Sequence, residues 1–171
     1  MAEPAYVQLF ENGELERRAA TARDMLRACA VCPRVCGVDR TAGETGACGA
    51  GADPAVSSFN DHHGEEPPIS GSCGSGTIFL TNCNLACVFC QNYPISQMAN
   101  GTEVPCERLA DMMLRLQERG CHNINFVTPT HYMPQILEAV LLAARRGLRL
   151  PLVWNSGGYD GPEALRLLDG V

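Results

Sequence analysis

The sequence has no cluster of basic residues, no recognisable export signal and no hydrophobic run long enough to cross a membrane. Lys and Arg together number 13 against 19 Asp and Glu, which gives a formal net charge of -6, so we do not expect a surface for nucleic-acid phosphates. The longest apolar run, at residues 139–144, is far below the roughly 20 residues that a membrane helix needs. The first residues lack the basic and apolar regions of a secretory signal. These absences predict a cytoplasmic protein with neither nucleic-acid nor membrane partners.

The composition indicates a folded chain that binds metal. Hydrophobic residues make up 46% of the 171 residues, which is enough for a core and argues against disorder throughout. Ten cysteines are many for this length. Because no export signal is visible, clustered cysteines indicate metal ligands rather than disulfide bridges.

The order of sequence patterns predicts an α/β fold preceded by a cysteine-rich, irregular N-terminal segment. Apolar residues recur at helical spacing between residues 9 and 29, at Leu15, Ala19, Ala22 and Leu26. From residue 29 to 75, Gly, Pro, Ser and Asp are dense, so we expect this stretch to need a metal in order to fold. The predicted organisation is therefore a metal-binding segment at 1–75 and an α/β unit at 76–171. In the second unit, strands are predicted at 77–81, 123–127 and 150–154, and helices at 107–119, 134–146 and 162–168.

Alternating strands and helices predict a parallel sheet with right-handed crossovers. In such sheets, ligands bind at the carboxyl ends of the strands. Thr128, Thr130 and His131 follow the second predicted strand, Asn155 and Ser156 follow the third, and a cysteine-rich loop follows the first. We expect these three loops to meet at one edge of the sheet and to bind a ligand there, with a purely structural role as the alternative for His131.

Cys83, Cys87 and Cys90 lie on the first of these loops with the spacing C-x3-C-x2-C. Three thiolates can hold three irons of a [4Fe-4S] cluster and leave the fourth iron open, as a catalytic zinc site leaves one position open. The spacing differs from the four-cysteine run of ferredoxins, which leaves no iron open. The alternatives are three packed cysteines or part of a structural zinc site.

A second group of cysteines consists of Cys29, Cys32, Cys36 and Cys48, with two, three and eleven residues between successive members. This pattern suits a tetrahedral four-thiolate zinc site or a second iron–sulfur cluster, and the spacing does not choose between them. Four reduced thiols without a metal are the alternative.

Paired imidazoles and carboxylates occur together at His62, His63, Glu65 and Glu66. They could ligate a metal or act as a general acid and base. The composition of residues 60–71 is also that of a solvated loop, which is the interpretation we favour from sequence.

These motifs resemble those of the radical S-adenosylmethionine (SAM) enzymes, and among them the pyruvate formate-lyase activating enzyme-like iron–sulfur proteins. The similarity runs over residues 29–171. It is carried by the sequences CPRVCGVDR from Cys32, GEEPPISG from Gly64, CVFCQN from Cys87, VTPTH from Val127 and LPLVWNSGGY from Leu150.

The resemblance implies a partial TIM-type barrel with about three βα units, in which the open iron chelates the amino and carboxylate groups of SAM. A flavodoxin or ferredoxin would supply the electron that cleaves SAM to a 5′-deoxyadenosyl radical. That radical would abstract hydrogen from a substrate, by analogy a glycine of a partner enzyme. Phe89 matches the aromatic position that neighbours the adenine.

The sequence departs from the family pattern in two places. Many members carry Gly-Gly-Glu after the second strand to hold the SAM amino group, and here VTPTH stands in its place, so Thr128, Thr130 and His131 become the candidates. The chain also ends before the later strands of the barrel, from which we expect a C-terminally truncated product.

The competing class of function is a non-catalytic metal-binding module, which would be a structural or electron-transfer protein that binds zinc or an iron–sulfur cluster. In an iron–sulfur protein of this class, Cys73 would be the fourth ligand and would close the cubane.

Overall fold

The computed structural model describes residues 3–171, so Met1 and Ala2 of the predicted N-terminal segment lie outside the described residues. Two short 3-10 turns, Arg40–Ala42 and Thr130–Tyr132, accompany the regular elements. The strands are β1 (Ala55–His62), β2 (Ser75–Leu80), β3 (Thr102–Glu103), β4 (Ile124–Val127) and β5 (Leu152–Asn155). The helices are α1 (Ala5–Glu11), α2 (Glu14–Asp24), α3 (Pro67–Ser70), α4 (Tyr93–Ser96), α5 (Cys106–Glu118), α6 (Met133–Arg145) and α7 (Pro162–Leu168).

The five strands form one mixed sheet in the order β3-β1-β2-β4-β5. β2, β4 and β5 are parallel, as predicted, and each is followed by a helix. β1 is antiparallel to both β2 and β3, so the expectation of a parallel sheet is correct for only three of the strands. Phe79 pairs with Val127, and Val127 pairs with Asn155, which aligns the carboxyl ends of the three parallel strands.

The prediction that residues 29–75 are irregular is wrong for residues 55–62, which form strand β1. Only Ala55 and Val56 at its start are buried, and most of the residues after them are exposed. A strand with so much exposed surface carries no alternating hydrophobic pattern by which the sequence would reveal it. His62 therefore lies at the end of a strand and not in a solvated loop.

The three helices predicted in the second unit agree with α5, α6 and α7 within one residue at each end, whereas the short helix α4 was not predicted. α5 and α6 pack against each other, and Gly120 and Gly147 follow them with φ of +85° and +95°. This left-handed conformation is one that glycine adopts without strain, and it ends a helix.

The single N-terminal helix predicted between residues 9 and 29 is two helices, α1 and α2. Gly13 separates them because it takes a left-handed conformation, with φ of +79°. The four apolar residues expected on the inner face are buried, and α2 packs against α6. The hydrophobic core therefore contains residues from both predicted segments, Leu15 and Leu26 among them.

The sheet is open, with β3 and β5 at its edges. The three parallel strands and their helices account for the three predicted βα units, and a partial TIM barrel stays a prediction. No helix in residues 3–171 combines the length and the apolar character needed to cross a membrane.

Candidate functional site

The loops that follow the three parallel strands line one cleft. The cleft has a volume of about 460 Å³ and lies where Phe79, Val127 and Asn155 pair across β2, β4 and β5. Most of its lining is polar. The predicted ligand residues Thr128, Asn155 and Ser156 belong to this lining, together with Gln91, Asn92, His62 and Glu65.

The cysteine triplet lies on the loop between β2 and α4, which we call the cluster loop (residues 81–92). The Asn82 amide donates to the hydroxyl of Tyr132 at 2.9 Å, and the Asn84 amide donates to the carbonyl of Tyr159 at 2.8 Å. Asn82 and Ala86 have positive φ angles of 64° and 54°, so the loop turns sharply around the first cysteines. Hydrogen bonds to the loops after β4 and β5 thus fix the cluster loop beside the cleft.

The three thiols of the triplet are half-buried, and two of them have polar neighbours. The Cys83 Sγ accepts a hydrogen bond from the backbone N–H of Leu85 at 3.3 Å. The Cys90 Sγ lies 3.3 Å from the Ser96 hydroxyl. N–H and O–H groups near sulfur stabilise a thiolate, the form that binds iron.

The donor set of the cluster loop fits a [4Fe-4S] cluster. As the side chains stand, no three His, Cys, Asp or Glu residues among positions 3–171 are arranged to hold a metal ion. In a cubane, three thiolates bind three different irons and do not converge on one ion. Three half-buried cysteines on one anchored loop therefore satisfy the chemical requirement.

Phe89 is on the outer part of the cluster loop. Its side chain is 85% exposed, and that of the neighbouring Val88 is 96% exposed. Both apolar side chains are therefore available to a bound molecule or to a partner protein.

The loop after β4 places its three predicted ligand residues in different environments. Thr128 lines the cleft and has a left-handed backbone, with φ of +58°. Thr130 does not belong to the cleft lining, and its hydroxyl donates a hydrogen bond to the carboxylate of Asp160 at 2.6 Å. His131 is buried, and its Nε2 lies 2.8 Å from the carbonyl oxygen of Thr81. Of these three side chains, only Thr128 is at the cleft.

Asp160 connects the loops after β4 and β5 through hydrogen bonds, and it was not among the site residues predicted from the sequence. Its carboxylate accepts hydrogen bonds from Thr130, from the indole of Trp154 at 3.2 Å and from the Ser156 hydroxyl at 2.6 Å. The signal in the sequence was its position, a carboxylate in the polar loop directly after the third strand. Because its partners come from β5 and the two adjoining loops, Asp160 ties the ends of β4 and β5 together.

A carboxylate from outside the parallel strands also reaches the cleft. Glu65 follows β1, and its side chain is 16% exposed. Its Oε1 lies 3.3 Å from the Nδ1 of His62, which also lines the cleft. Glu65 is the single acidic residue in the cleft lining. His63 and Glu66, its neighbours in the sequence, do not belong to this lining.

The four N-terminal cysteines line a second, much smaller cavity. Cys29, Cys32, Cys36 and Cys48 surround a volume of about 10 Å³, and Arg34, Arg40 and His131 are among the other residues that line it. Burial raises the pKa of the Cys48 thiol, and the nearby Cys29 and Cys32 raise it further, whereas Arg40 lowers it. The structure thus brings together four cysteines that are spread over residues 29–48.

His131 connects this cavity to the base of the cluster loop. Burial lowers the pKa of the imidazole from 6.5 to about 4, so the ring is neutral at physiological pH. Because Nε2 faces the carbonyl of Thr81, it carries the proton, and Nδ1 is left as a lone pair. That Nδ1 is buried and has no hydrogen-bond partner among the described residues.

Comparison with known proteins agrees with this site. The chain matches the radical SAM superfamily over residues 77–171, a span that begins in β2 and includes the cluster loop. It is 31% identical over 166 residues to an uncharacterized protein of Methanocaldococcus jannaschii. The alignment covers 92% of this chain and 46% of that protein, so the chain spans less than half the length of this curated relative. No solved structure matches the chain significantly. Because the family match covers more than half of the chain and includes the cysteine triplet, the protein belongs to the radical SAM superfamily.

Proposed function

We propose that the protein is a radical SAM enzyme that binds a [4Fe-4S] cluster through Cys83, Cys87 and Cys90 and binds SAM in the adjoining cleft. Membership of the superfamily implies both cofactors. The observation that carries their placement is that the loops after β2, β4 and β5 line one polar cleft. When bound, the reduced cluster and SAM supply a 5′-deoxyadenosyl radical for hydrogen abstraction, while the protein orients the reactants and excludes water and oxygen.

We divide the side chains of the loops around the cleft into those that would contact SAM and those that position the loops. Thr128, Asn155 and Ser156 line the cleft and offer hydroxyl and amide groups to the polar parts of SAM. Thr130 is bonded to Asp160 and His131 to Thr81, so these two act by fixing the loop after β4. Phe89 supplies an exposed aromatic face for the adenine.

Glu65 is the group that we propose for the positively charged amino group of SAM. The loop after β4 lacks the usual glutamate, and Glu65 supplies the only carboxylate in the cleft lining. A hydrogen bond between an ammonium and a carboxylate is typically stronger than one between neutral groups. The largely buried position of this side chain also reduces the screening of its charge by water.

Glu65→Gln should weaken SAM binding by roughly tenfold or more, because a hydrogen bond to a charged group contributes about 1.5–3 kcal/mol. Glu66→Gln is the matched control, since Glu66 is exposed and does not line the cleft. Both variants should retain the iron content of the wild type. Equal SAM affinities for the two variants, measured by equilibrium dialysis under anaerobic conditions, would exclude Glu65 from this role.

The proposal also includes an electron donor and a substrate. We propose a flavodoxin or ferredoxin as the donor, which would approach the cluster loop on the side where Val88 is exposed. The substrate proposed from the resemblance to activating enzymes is a glycine of a partner enzyme, from which hydrogen would be abstracted. A second metal, at the N-terminal cysteines, completes the proposed cofactors.

The competing assignment, an inert cluster closed by Cys73, finds no support in the fold. Cys73 precedes the amino end of β2, whereas Cys83 follows its carboxyl end. Six strand residues lie between these two loops, and at about 3.3 Å per residue they span roughly 20 Å. A side chain at the far end of the strand is too distant to be the fourth ligand.

The release of 5′-deoxyadenosine tests the proposed reaction. The anaerobically reconstituted protein, reduced with dithionite in the presence of SAM, should form this product. Cys83→Ala should abolish product formation, and Cys73→Ala should leave it unchanged. If the Cys83→Ala/Cys87→Ala/Cys90→Ala variant forms as much product as the wild type, the proposal is wrong.

A further inference from the structure

The N-terminal cysteines form a site of their own, separate from the cleft. We propose that Cys29, Cys32, Cys36 and Cys48 bind a single zinc ion and that the buried guanidinium of Arg40 balances the negative charge of this thiolate centre. The proposal does not depend on radical chemistry, since its ligands and its metal differ from those of the cluster loop.

The size of the cavity favours one ion. Its volume of about 10 Å³ is near the smallest cavity that can hold one water molecule. An eight-atom cubane would require the surrounding loops to separate, whereas a tetrahedral zinc ion requires thiolates about 2.3 Å from a common centre. Four thiolates are also a preferred ligand set for structural zinc.

The buried charge of Arg40 supports a metal–thiolate centre independently of the spacing of the cysteines. It is 1% exposed, and its hydrogen bonds go to the carbonyl oxygens of Gly51 (2.6 and 2.8 Å) and His131 (2.8 Å). Within residues 3–171, Arg40 forms no salt bridge with a carboxylate. A buried cation without a counter-charge is costly. Four thiolates around Zn²⁺ carry a net charge of about -2, and Arg40 lines the cavity in which they would form.

The thiols have to move inward to bind the ion, because they do not yet surround one point in the described structure. The chain permits a close approach at Gly46. A Cβ at this position would lie 2.9 Å from the Sγ of Cys36, so only glycine leaves the thiol unobstructed. The metal usually brings such ligands together as it binds, because a preformed metal site rarely exists before binding.

Metal analysis of the protein, reconstituted with iron, sulfide and zinc, tests the proposal. Wild type should contain about one zinc ion per chain in addition to its iron. Cys32→Ser/Cys36→Ser should lose the zinc and keep the iron, while Cys83→Ala/Cys87→Ala should lose the iron and keep the zinc. Cys73→Ser, a change at an exposed cysteine, is the control that should keep both.

Zinc that persists in Cys32→Ser/Cys36→Ser, or iron and sulfide at this site in place of zinc, would overturn the proposal. Cobalt binding to Cys83→Ala/Cys87→Ala, which keeps all four N-terminal cysteines, covers the case in which Cys32→Ser/Cys36→Ser fails to fold. Added Co²⁺ should give the visible spectrum of a tetrahedral tetrathiolate site in Cys83→Ala/Cys87→Ala, and the absence of that spectrum would contradict the assignment.

The role of Arg40 is tested by two substitutions of different charge. Arg40→Gln removes the charge and should weaken cobalt binding by at least about tenfold. Arg40→Lys keeps the charge and should bind cobalt more tightly than Arg40→Gln. If both variants lose affinity equally, Arg40 contributes packing and hydrogen bonds and not charge.

Discussion

Thr128 is a strained residue in the lining of the cleft. Its φ of +58° places a β-branched side chain in the left-handed region, where such residues are rare because the Cβ approaches the backbone. Its N–H bonds the carbonyl of Asn155 at 2.9 Å, which fixes the strained residue against β5. Strain of this kind persists where the surroundings enforce it, and it is frequent at ligand sites.

Thr128→Gly should raise the free energy of unfolding by up to about 1 kcal/mol, because glycine adopts this conformation without a steric penalty. The same change should weaken SAM binding because it removes the hydroxyl group from the cleft, whereas Thr128→Ser should retain the affinity. Urea denaturation and SAM titration of the three proteins measure both effects. A glycine variant that is less stable than the wild type would show that the left-handed backbone is not costly here.

The Cys106 thiol gives a pH dependence that is independent of the metal sites. Burial at the start of α5 raises its pKa from 9.0 to about 12. Between these pH values the unfolded chain has lost this proton and the folded chain has kept it, so stability falls as the pH rises. One such group contributes a slope of up to about 1.4 kcal/mol per pH unit. Above pH 9, the unfolding free energy of Cys106→Ala should therefore decrease less steeply than that of the wild type, and parallel curves would contradict this.

At the scale of elements, the sequence predicted α5 and α6 from their helical hydrophobic period, and the parallel strands from short apolar runs. α5 buries Leu109, Met113 and Leu116 on one face, and Gly120 ends it. β1 was missed because it is polar and exposed over most of its length, and its pairing with β2 depends on contacts between distant parts of the chain. Local patterns contain no information about such pairing.

The candidate site, like the fold, was predictable only where it depends on local sequence patterns and strand order. The triplet on the cluster loop and the convergence of three strand-end loops follow from spacing and topology. The proximity of Glu65 to Thr128, and of His131 to the N-terminal cysteines, does not. Each of these pairs is separated by more than 60 residues, and side-chain direction at a loop is set by hydrogen bonds such as that from Thr130 to Asp160.

If the N-terminal cysteines bind zinc as proposed, removal of the zinc should loosen residues 29–50 and leave the sheet intact. Few backbone hydrogen bonds order residues 29–50, among them those between Cys29 and Val38 and between Arg40 and Leu26. In Cys83→Ala/Cys87→Ala, which lacks the cluster, a chelator should lower amide-exchange protection in this segment, because its metal-binding free energy is folding free energy. β1 should keep its protection, since it pairs with β2 along most of its length. Unchanged protection in residues 29–50 after complete zinc removal would contradict the account.

At the scale of the whole molecule, the cluster loop is the meeting point of the N-terminal segment and the sheet. Arg34, between two of the N-terminal cysteines, donates to the carbonyl of Asn84, while the amide of Asn84 donates to Tyr159 after β5. Gly157 approaches so closely that a Cβ there would lie 2.4 Å from Leu85. The position of the cysteine triplet thus depends on residues on both sides of it.

The central claim is that the cysteine triplet holds a cluster with an open iron to which SAM binds. Electron paramagnetic resonance of the anaerobically reconstituted, reduced protein tests it most directly, with Cys83→Ala/Cys87→Ala/Cys90→Ala as the control without a cluster and Cys73→Ala as the control with one. The account predicts a reduced [4Fe-4S] signal that changes when SAM is added, both in the wild type and in Cys73→Ala, and no such signal in the triple variant. A cluster signal that SAM leaves unchanged, or one that persists in the triple variant, would contradict it.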